Sequence, residues 1–250
     1  KSLKKNPGVT EIFALPGNGG IAQDAVCVPI AATDLQAIAA FAREKGIDYA
    51  MVAPDDPLVL GCVDVLQEAG IPCFGPKKNA AIIEGSKAFS KDLMKKYNIP
   101  TASYETFTDL AEALAYLDTQ DAPIVVKADG LALGKGVIIA QTRQEAKAAV
   151  TDMMANAKFG ASGSTVVIEE FLTGPEVSVL AFTDGKTLKP MVSSMDHKRA
   201  LDGDQGLNTG GMGTVAPNPY YTEAVAQQCM DTIFLPTIRA MAREGRPFQG

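Results

Sequence analysis

Apolar positions recur along the chain at two periods, one of strands and one of helices, and the two take turns from the start. Glu11 to Leu15 is a short apolar run read as a strand, and Ala25 to Pro29 looks extended again. Asp34 precedes Leu35, Ile38, Phe41 and Ala42 at helical spacing, and Gly46 ends that stretch, which predicts a capped amphipathic helix. Residues 47–53 then read as a strand, 59–69 as a helix closed by Gly70, and 71–74 as a short strand. Strands alternating with helices at this spacing predict a parallel sheet. In such sheets ligands gather outside the carboxyl ends of the strands. The turns at 16–20 (PGNGG) and 54–58 (PDDPL) are therefore candidates for one site, with two plain surface turns as the competing reading. Gly17, Gly19 and Ala22 also fit a dinucleotide fingerprint loosely, but no long helix is expected after them.

From residue 79 the pattern changes. A short helical turn at 79–84 leads to Ser86, which caps a helix over 87–97 that stops at Asn98 before Pro100. A strand begins at Thr101, Asp109 and Glu112 open a helix through Leu117, and Thr142 with Glu145 opens another to about Ala155. A glycine-rich connection at 159–164 precedes a strand over 165–172, a turn at 174–176 and a strand over 177–182. Residues 193–220 show no convincing periodicity, and an unstructured connection of that length in a compact domain generally binds something. Residues 222–244 form a long helical pattern closed by Gly245, with Pro236 kinking or dividing it.

The chemistry concentrates in residues 123–140, PIVVKADGLALGKGVIIA, read as strand, glycine loop and strand. Gly130, Gly134 and Gly136 let backbone amides approach an anion, and Lys127 and Lys135 supply countercharge. This is a phosphate grip but not the common P-loop, because three residues separate Gly130 from Gly134 and Gly136 follows Lys135 where Ser or Thr is required. Lysine is a poor strand residue, so Lys127 calls for a partner; a phosphate or edge-strand protection would each supply the reason. Lys87 lies in the first turn of its helix, where a cation opposes the macrodipole, so it is either solvated or reaching an anion. Glu169 and Glu170 are adjacent on a strand and point to opposite faces, which excludes a catalytic dyad. The strand-end backbone there can read an adenine edge, and Glu176 can hold ribose hydroxyls, or these are solvent-facing charges. Asp196-His197-Lys198-Arg199 suits a phosphate or carboxylate, and Asn208-Thr209-Gly210-Gly211-Met212-Gly213 suits close backbone approach. His197 is the only histidine and reads as a polar loop contact before a general base.

Composition narrows this further. The chain has 250 residues, 46% hydrophobic and 21% charged, and reads as a globular protein with a substantial core. Its net charge of −6 argues against nucleic-acid or membrane-surface binding, so any phosphate grip is local. Cys27, Cys62, Cys73 and Cys229 show no CxxC spacing and sit among apolar residues, as reduced thiols of a cytoplasmic protein do. No run approaches the roughly 18 apolar residues of a membrane span.

Four segments in order, GSKAFSKDL at 85–93, VVKADGLALGKGV at 125–137, VIEEFLTGPEVS at 167–178 and DHKRALDGDQGLNTGGMG at 196–213, together with PGNGG and DPLV, resemble the phosphoribosylamine–glycine ligase family of the ATP-grasp superfamily, the glycinamide ribonucleotide synthetases of purine synthesis. The resemblance implies an α/β fold in three parts: an incomplete parallel-sheet pre-ATP-grasp domain over 1–84, an ATP-grasp small lobe over 85–172, and the start of the large lobe over 173–250, cut short. It implies ATP with Mg²⁺ or Mn²⁺ as cofactors and glycine and 5-phosphoribosylamine as substrates, joined through glycyl phosphate. Lys87, Lys127 and Arg199 are the implied catalytic residues. Lys87, Lys127, Asp129, Gly130, Gly134, Lys135, Gly136, Val137, Glu169, Glu170, Phe171, Leu172 and Glu176 are implied to hold ATP, with the glycine loop folding over the phosphates. Gly17, Asn18, Gly19, Asp56, Pro57, Leu58, Asp196, His197, Lys198, Arg199, Asn208, Thr209, Gly210, Gly211, Met212 and Gly213 are implied to surround the substrates.

The match departs from the family at both ends. The family's first strand and its GGREHA-like loop would precede Lys1, and its acidic and asparagine metal ligands would follow Gly250. The expectation is therefore a monomeric fragment, alone or fused to other purine-pathway domains, without its own metal site, that binds nucleotide weakly or not at all and does not turn over. The competing expectations are another ATP-grasp carboxylate–amine ligase and a nucleotide-binding module without turnover; a dinucleotide oxidoreductase comes behind both.

Overall fold

A computed structural model describes residues 1–131, 136–156, 163–203 and 205–250, except the side chains of Leu207 and Asn208. Gly134 and Lys135 therefore lie outside the described residues, as does the Asn208 side chain. The chain divides into two compact units, Lys1–Ala81 and Ile82–Gly250.

In the first unit, β1 (Phe13–Ala14) pairs in parallel with β2 (Val26–Cys27). The helix α1 (Leu35–Lys45) starts at Asp34, whose carboxylate accepts from the Ala37 amide, and ends at Gly46 in the left-handed region, φ 61°. The strand expected over 47–53 shortens to β3 (Ala50–Met51), which pairs in parallel with β4 (Cys73–Phe74). Between them the 54–58 stretch differs from the expected turn. It opens the helix α2 (Asp55–Leu60), with Pro57 buried in its first turn. A proline is tolerated there because the first-turn amides have no intrahelical acceptor in any case. Gly61, at φ 101°, separates α2 from α3 (Cys62–Glu68), so one expected helix becomes two. Ala42, Val52, Cys62, Val63, Leu66 and Ile71 form this unit's core.

In the second unit, α4 (Lys78–Gly85), whose first residues belong to the preceding unit, leads to α5 (Lys87–Lys96). There follow β5 (Tyr104–Phe107), α6 (Leu110–Leu117), β6 (Ile124–Ala128), β7 (Val137–Ala140), α7 (Arg143–Met154) and β8 (Val166–Glu170). The strands form one antiparallel sheet in the order β5-β8-β6-β7. Strand alternation then divides the side chains. Ile124, Val126 and Ala128 of β6, with Val166 and Ile168 of β8, pack against Ala113, Leu117, Val150 and Met153 of the two helices. The intervening residues, Lys127 and Glu169 among them, turn to the opposite face.

Beyond the sheet, β9 (Ala181–Thr183) pairs with β10 (Leu188–Pro190), and Ser178 forms an isolated bridge to Ser194, where a strand over 177–182 was expected. Residues 193–220 are not the expected unstructured connection. β11 (Met195–Leu201) and β12 (Gln205–Val215) form an antiparallel hairpin with two register shifts. Its glycines and charges conceal the period of two, and the pairing is carried by the backbone. The final helical stretch consists of α8 (Glu223–Cys229), a five-residue π turn (Met230–Phe234) and α9 (Leu235–Arg243). Pro236, the second residue of α9, has no amide to continue the ladder, so the widened turn before it is where the helix adapts.

Burial pushes the Cys73 thiol up to about 11, with the neighbouring Cys62 adding to the shift. A thiol whose pKa is higher folded than unfolded adds stability that is complete below the unfolded value and is lost as pH rises through the folded one. Burial also raises the Cys62 thiol, so urea unfolding of the first unit is expected to show falling stability between the ordinary thiol value of 9.0 and about 11, and Cys73→Ala is expected to lessen that slope.

Candidate functional site

The site is built where the N-terminus of α5 meets the end of β6. Ser86 caps α5 by accepting from the Phe89 amide at 3.0 Å. The Asp129 carboxylate, one residue past β6, accepts from the Ser86 hydroxyl at 3.1 Å and from the Ala88 amide at 2.7 Å. A negative group at a helix N-terminus satisfies orphan amides and complements the dipole, so Asp129 fastens the start of the glycine segment to α5. The Lys87 amide donates to the Asp129 carbonyl at 3.2 Å, and its Nζ donates to the Gly130 carbonyl at 2.9 Å. The base of the loop is closed by the Ala128 amide donating to the Gly136 carbonyl at 2.8 Å.

Lys87 is thus neither a solvated lysine nor one balanced by its own helix. Desolvation by burial lowers its pKa most; Asp129 and Glu84 oppose this, Lys127 lowers it further and Glu169 opposes. Lys87 and Lys127 therefore feel each other, and the anionic partners nearby do not outweigh burial. Such a place suits a multiply charged anion better than water does.

Lys127 lies diagonally across from Glu169, because β6 and β8 pair Val125 with Glu169 and Lys127 with Val167. Its Nζ donates to Glu169 Oε2 at 2.9 Å. The same oxygen forms an ion pair with Lys91 Nζ at 3.1 Å. Lys91 is buried and also donates to Thr101 Oγ1 at 2.7 Å and the Ala102 carbonyl at 3.3 Å. Its Nζ lies 5.4 Å from the centroid of the Tyr104 ring. Glu169 Oε1 is buried and has no hydrogen-bond partner among the described residues. A buried carboxylate oxygen without a donor is costly, and a ligand N–H would satisfy it. Glu170 points the other way, is exposed, and accepts from the Ser103 amide at 3.0 Å. Phe171 and Leu172 follow with exposed apolar side chains.

The other expected residues lie further along the chain. Glu176 and Lys198 form an ion pair. Arg199 Nη1 donates to the Gly206 carbonyl at 2.7 Å, within the hairpin. Gly211 has φ 118°, and a Cβ there would lie 2.9 Å from Asp196 Oδ1, so glycine is required for this carboxylate to approach the strand. Thr209 Oγ1 donates to the Lys198 carbonyl and His197 pairs with Gly213. Gly210 and Met212 lie on β12, and Met212 is exposed.

In the first unit, Gly17 has φ 74°, and a Cβ there would overlap Cys27 Sγ. The Asn18 side chain accepts from the Ile21 amide, and the loop borders a cavity of about 300 Å³ lined by Asn18, Gly20, Ile21 and Asp24. Gly19 is open to solvent on its Cβ side, and Asp56 and Leu58 lie on α2. Among the described residues no three His, Cys, Asp or Glu side chains cluster to hold a metal ion. Among the described residues no helix is long and apolar enough to cross a membrane.

The residue that sequence reasoning missed is Lys91. Its signal was its spacing, four positions after Lys87 and hence on one helix face, but nothing local names Glu169 as its partner.

Two family models match the chain. The phosphoribosylglycinamide synthetase N domain covers residues 1–84 and the phosphoribosylglycinamide synthetase ATP-grasp (A) domain covers 85–250. A phosphoribosylamine–glycine ligase of Vibrio vulnificus is 52% identical over 98% of this chain and 58% of its own length. Another, of Halalkalibacterium halodurans, is 50% identical over 97% and 56%. The chain thus spans a little over half the length of these relatives. The crystal structure of a phosphoribosylamine–glycine ligase from Thermotoga maritima aligns with a TM-score of 0.82 at 30% identity, over 100% of this chain and 59% of that one. A biotin carboxylase domain from Hydrogenobacter thermophilus, in complex with MgADP and bicarbonate, aligns with a TM-score of 0.71 at 18% identity, over 97% of this chain and 54% of that one, and shares the fold.

Replacing Asp129 by Ala removes the acceptor for both Ser86 and Ala88. It is expected to cost about 1–2 kcal/mol in urea unfolding and to speed amide exchange at 86–90, whereas Asp129→Asn keeps one acceptor and costs less. Unchanged exchange in Asp129→Ala would contradict the fastening role.

Proposed function

The chain belongs to the phosphoribosylglycinamide synthetase family, and from that premise we propose that it serves the ATP-dependent ligation of glycine to 5-phosphoribosylamine, giving glycinamide ribonucleotide, ADP and phosphate. The observation that carries this is the face of the sheet where Lys87, Lys127 and a buried Glu169 with one unsatisfied oxygen meet the base of a glycine loop. ATP, when bound, supplies the phosphoryl group that turns the glycine carboxylate into an acyl phosphate, whose phosphate the amine then displaces.

The residues divide the work. Lys87 and Lys127 align the phosphates and offset charge as it moves between oxygens, which is most of what phosphoryl transfer asks of a protein. The amides of Asp129, Gly130, Gly136 and Val137 approach the same phosphates. Glu169 Oε1 accepts from an amino group of the adenine, the backbone of Glu170 to Leu172 reads its edge, and Glu176 turns from Lys198 to the ribose. Lys198 and Arg199, with Asp196, His197 and residues 208–213, bind the substrates' charged groups from the hairpin. Within the first unit, the loop at 16–20 and residues 56–58 are substrate-binding residues. Mg²⁺ or Mn²⁺ accompanies the nucleotide, and the described residues offer no cluster that fits it. The 1–84, 85–172 and 173–250 divisions are the corresponding pre-ATP-grasp part, small lobe and start of the large lobe. The protein works as a cytoplasmic monomer.

The test uses the polypeptide as its complete reading frame encodes it. ADP release is expected to require both glycine and 5-phosphoribosylamine, and Lys127→Ala is expected to lower kcat/KM by about 100-fold or more. ADP release that ignores either substrate, or a Lys127→Ala variant with wild-type kcat/KM, would contradict the proposal.

A further inference from the structure

The two lysines on Glu169 are not equivalent. Lys91 forms an ion pair with Glu169 Oε2 at 3.1 Å and donates to Thr101 Oγ1 and the Ala102 carbonyl, and its side chain is 10% exposed. Two neutral acceptors outside the ion pair anchor it in place. Lys127 has a side chain 26% exposed, and its hydrogen bond among the described residues is to Glu169 Oε2. It keeps donors to spare. We infer that Lys91 is a positioning residue that holds the charge of Glu169 so that Lys127 is free to turn to a phosphate.

The reason is electrostatic. Glu169 is 5% exposed, and a carboxylate so buried is costly without a cation beside it. Were Lys127 its sole partner, every phosphate that drew Lys127 away would leave a bare buried charge, and that cost would be subtracted from nucleotide affinity. With Lys91 fixed on the same oxygen, the carboxylate remains compensated when Lys127 moves. Lys91 thus sets phosphate affinity without touching the nucleotide, and its anchors Thr101 and Ala102, just before β5, set where Glu169 stands. This rests on the proposal that Lys127 holds a phosphate.

The test is isothermal titration of the protein encoded by the complete reading frame with ATP and, separately, with adenosine. Lys91→Met is expected to weaken ATP about tenfold or more while changing adenosine by less than about twofold, and Lys91→Arg, which keeps the charge, is expected to stay within about threefold for both. Adding Glu169→Gln to Lys91→Met removes the charge that needs holding, and is expected to bring ATP affinity to within about threefold of Glu169→Gln alone. Thr101→Val loosens Lys91 without removing it and is expected to weaken ATP about two- to threefold, which keeps the inference testable should Lys91→Met fail to fold. Equal losses for ATP and adenosine, or unchanged ATP affinity in Lys91→Met and Thr101→Val, would overturn it. Lys127→Ala separates the two ideas. If Lys127→Ala weakens ATP and Lys91→Met does not, the inference fails alone; if Lys127→Ala leaves ATP affinity unchanged, the phosphate role fails and the inference with it.

Discussion

A carboxylate placed on the buried face of a sheet has to be compensated, and the way Glu169 is compensated organises much of the second unit. Its two cations come from different elements, Lys127 from the adjacent strand and Lys91 from α5. The ion pair therefore ties that helix to the sheet on the face opposite the α6 and α7 core. α5 is tied a second time by Asp129, which caps it from the start of the glycine segment. Removing one member of a buried pair generally costs more than the pair contributes, so such an arrangement favours one geometry more than it adds stability. The N-terminus of α5, the end of β6 and the middle of β8 are held together before any ligand arrives.

Preorganisation of this kind has a chemical use. Lysines aligned on phosphate oxygens lower the barrier to phosphoryl transfer because their reorganisation is complete before the reaction begins. Lys87 illustrates the cost. Burial disfavours its charge and Lys127 adds to the penalty, so the site holds cations that a polyphosphate would stabilise.

Much of this was legible in the sequence wherever local signals decide structure. The caps at Asp34, Ser86, Asp109 and Thr142 each accept from the amide three residues on, as their residue types require. The strand, loop and strand at 123–140 and the opposed side chains of Glu169 and Glu170 also follow from period and composition. What was not legible depended on distant partners. The hairpin at 195–215 gave no alternation because glycines and charges fill it, and its pairing runs through the backbone. The helix at Asp55–Leu60 was concealed by two prolines that mark turns elsewhere and are tolerated at a helix start. Among site residues, Lys87 and Lys127 stood out because each sits where a cation is locally unfavourable. Lys91 raised no such conflict, since a lysine in mid-helix is ordinary; its importance comes from Glu169, seventy-eight positions later in the chain, and no local signal spans that distance.

Nucleotide binding turns on Lys127 exchanging a carboxylate for a phosphate while Lys91 remains in place. A crystal structure of the complete polypeptide with a non-hydrolysable ATP analogue observes this directly. Lys87 and Lys127 Nζ are expected within about 3 Å of phosphate oxygens, with Lys91 still on Glu169. A bound analogue whose phosphates lie away from both lysines, or a Lys127 that stays on Glu169 with its Nζ out of reach of any phosphate, would contradict that exchange.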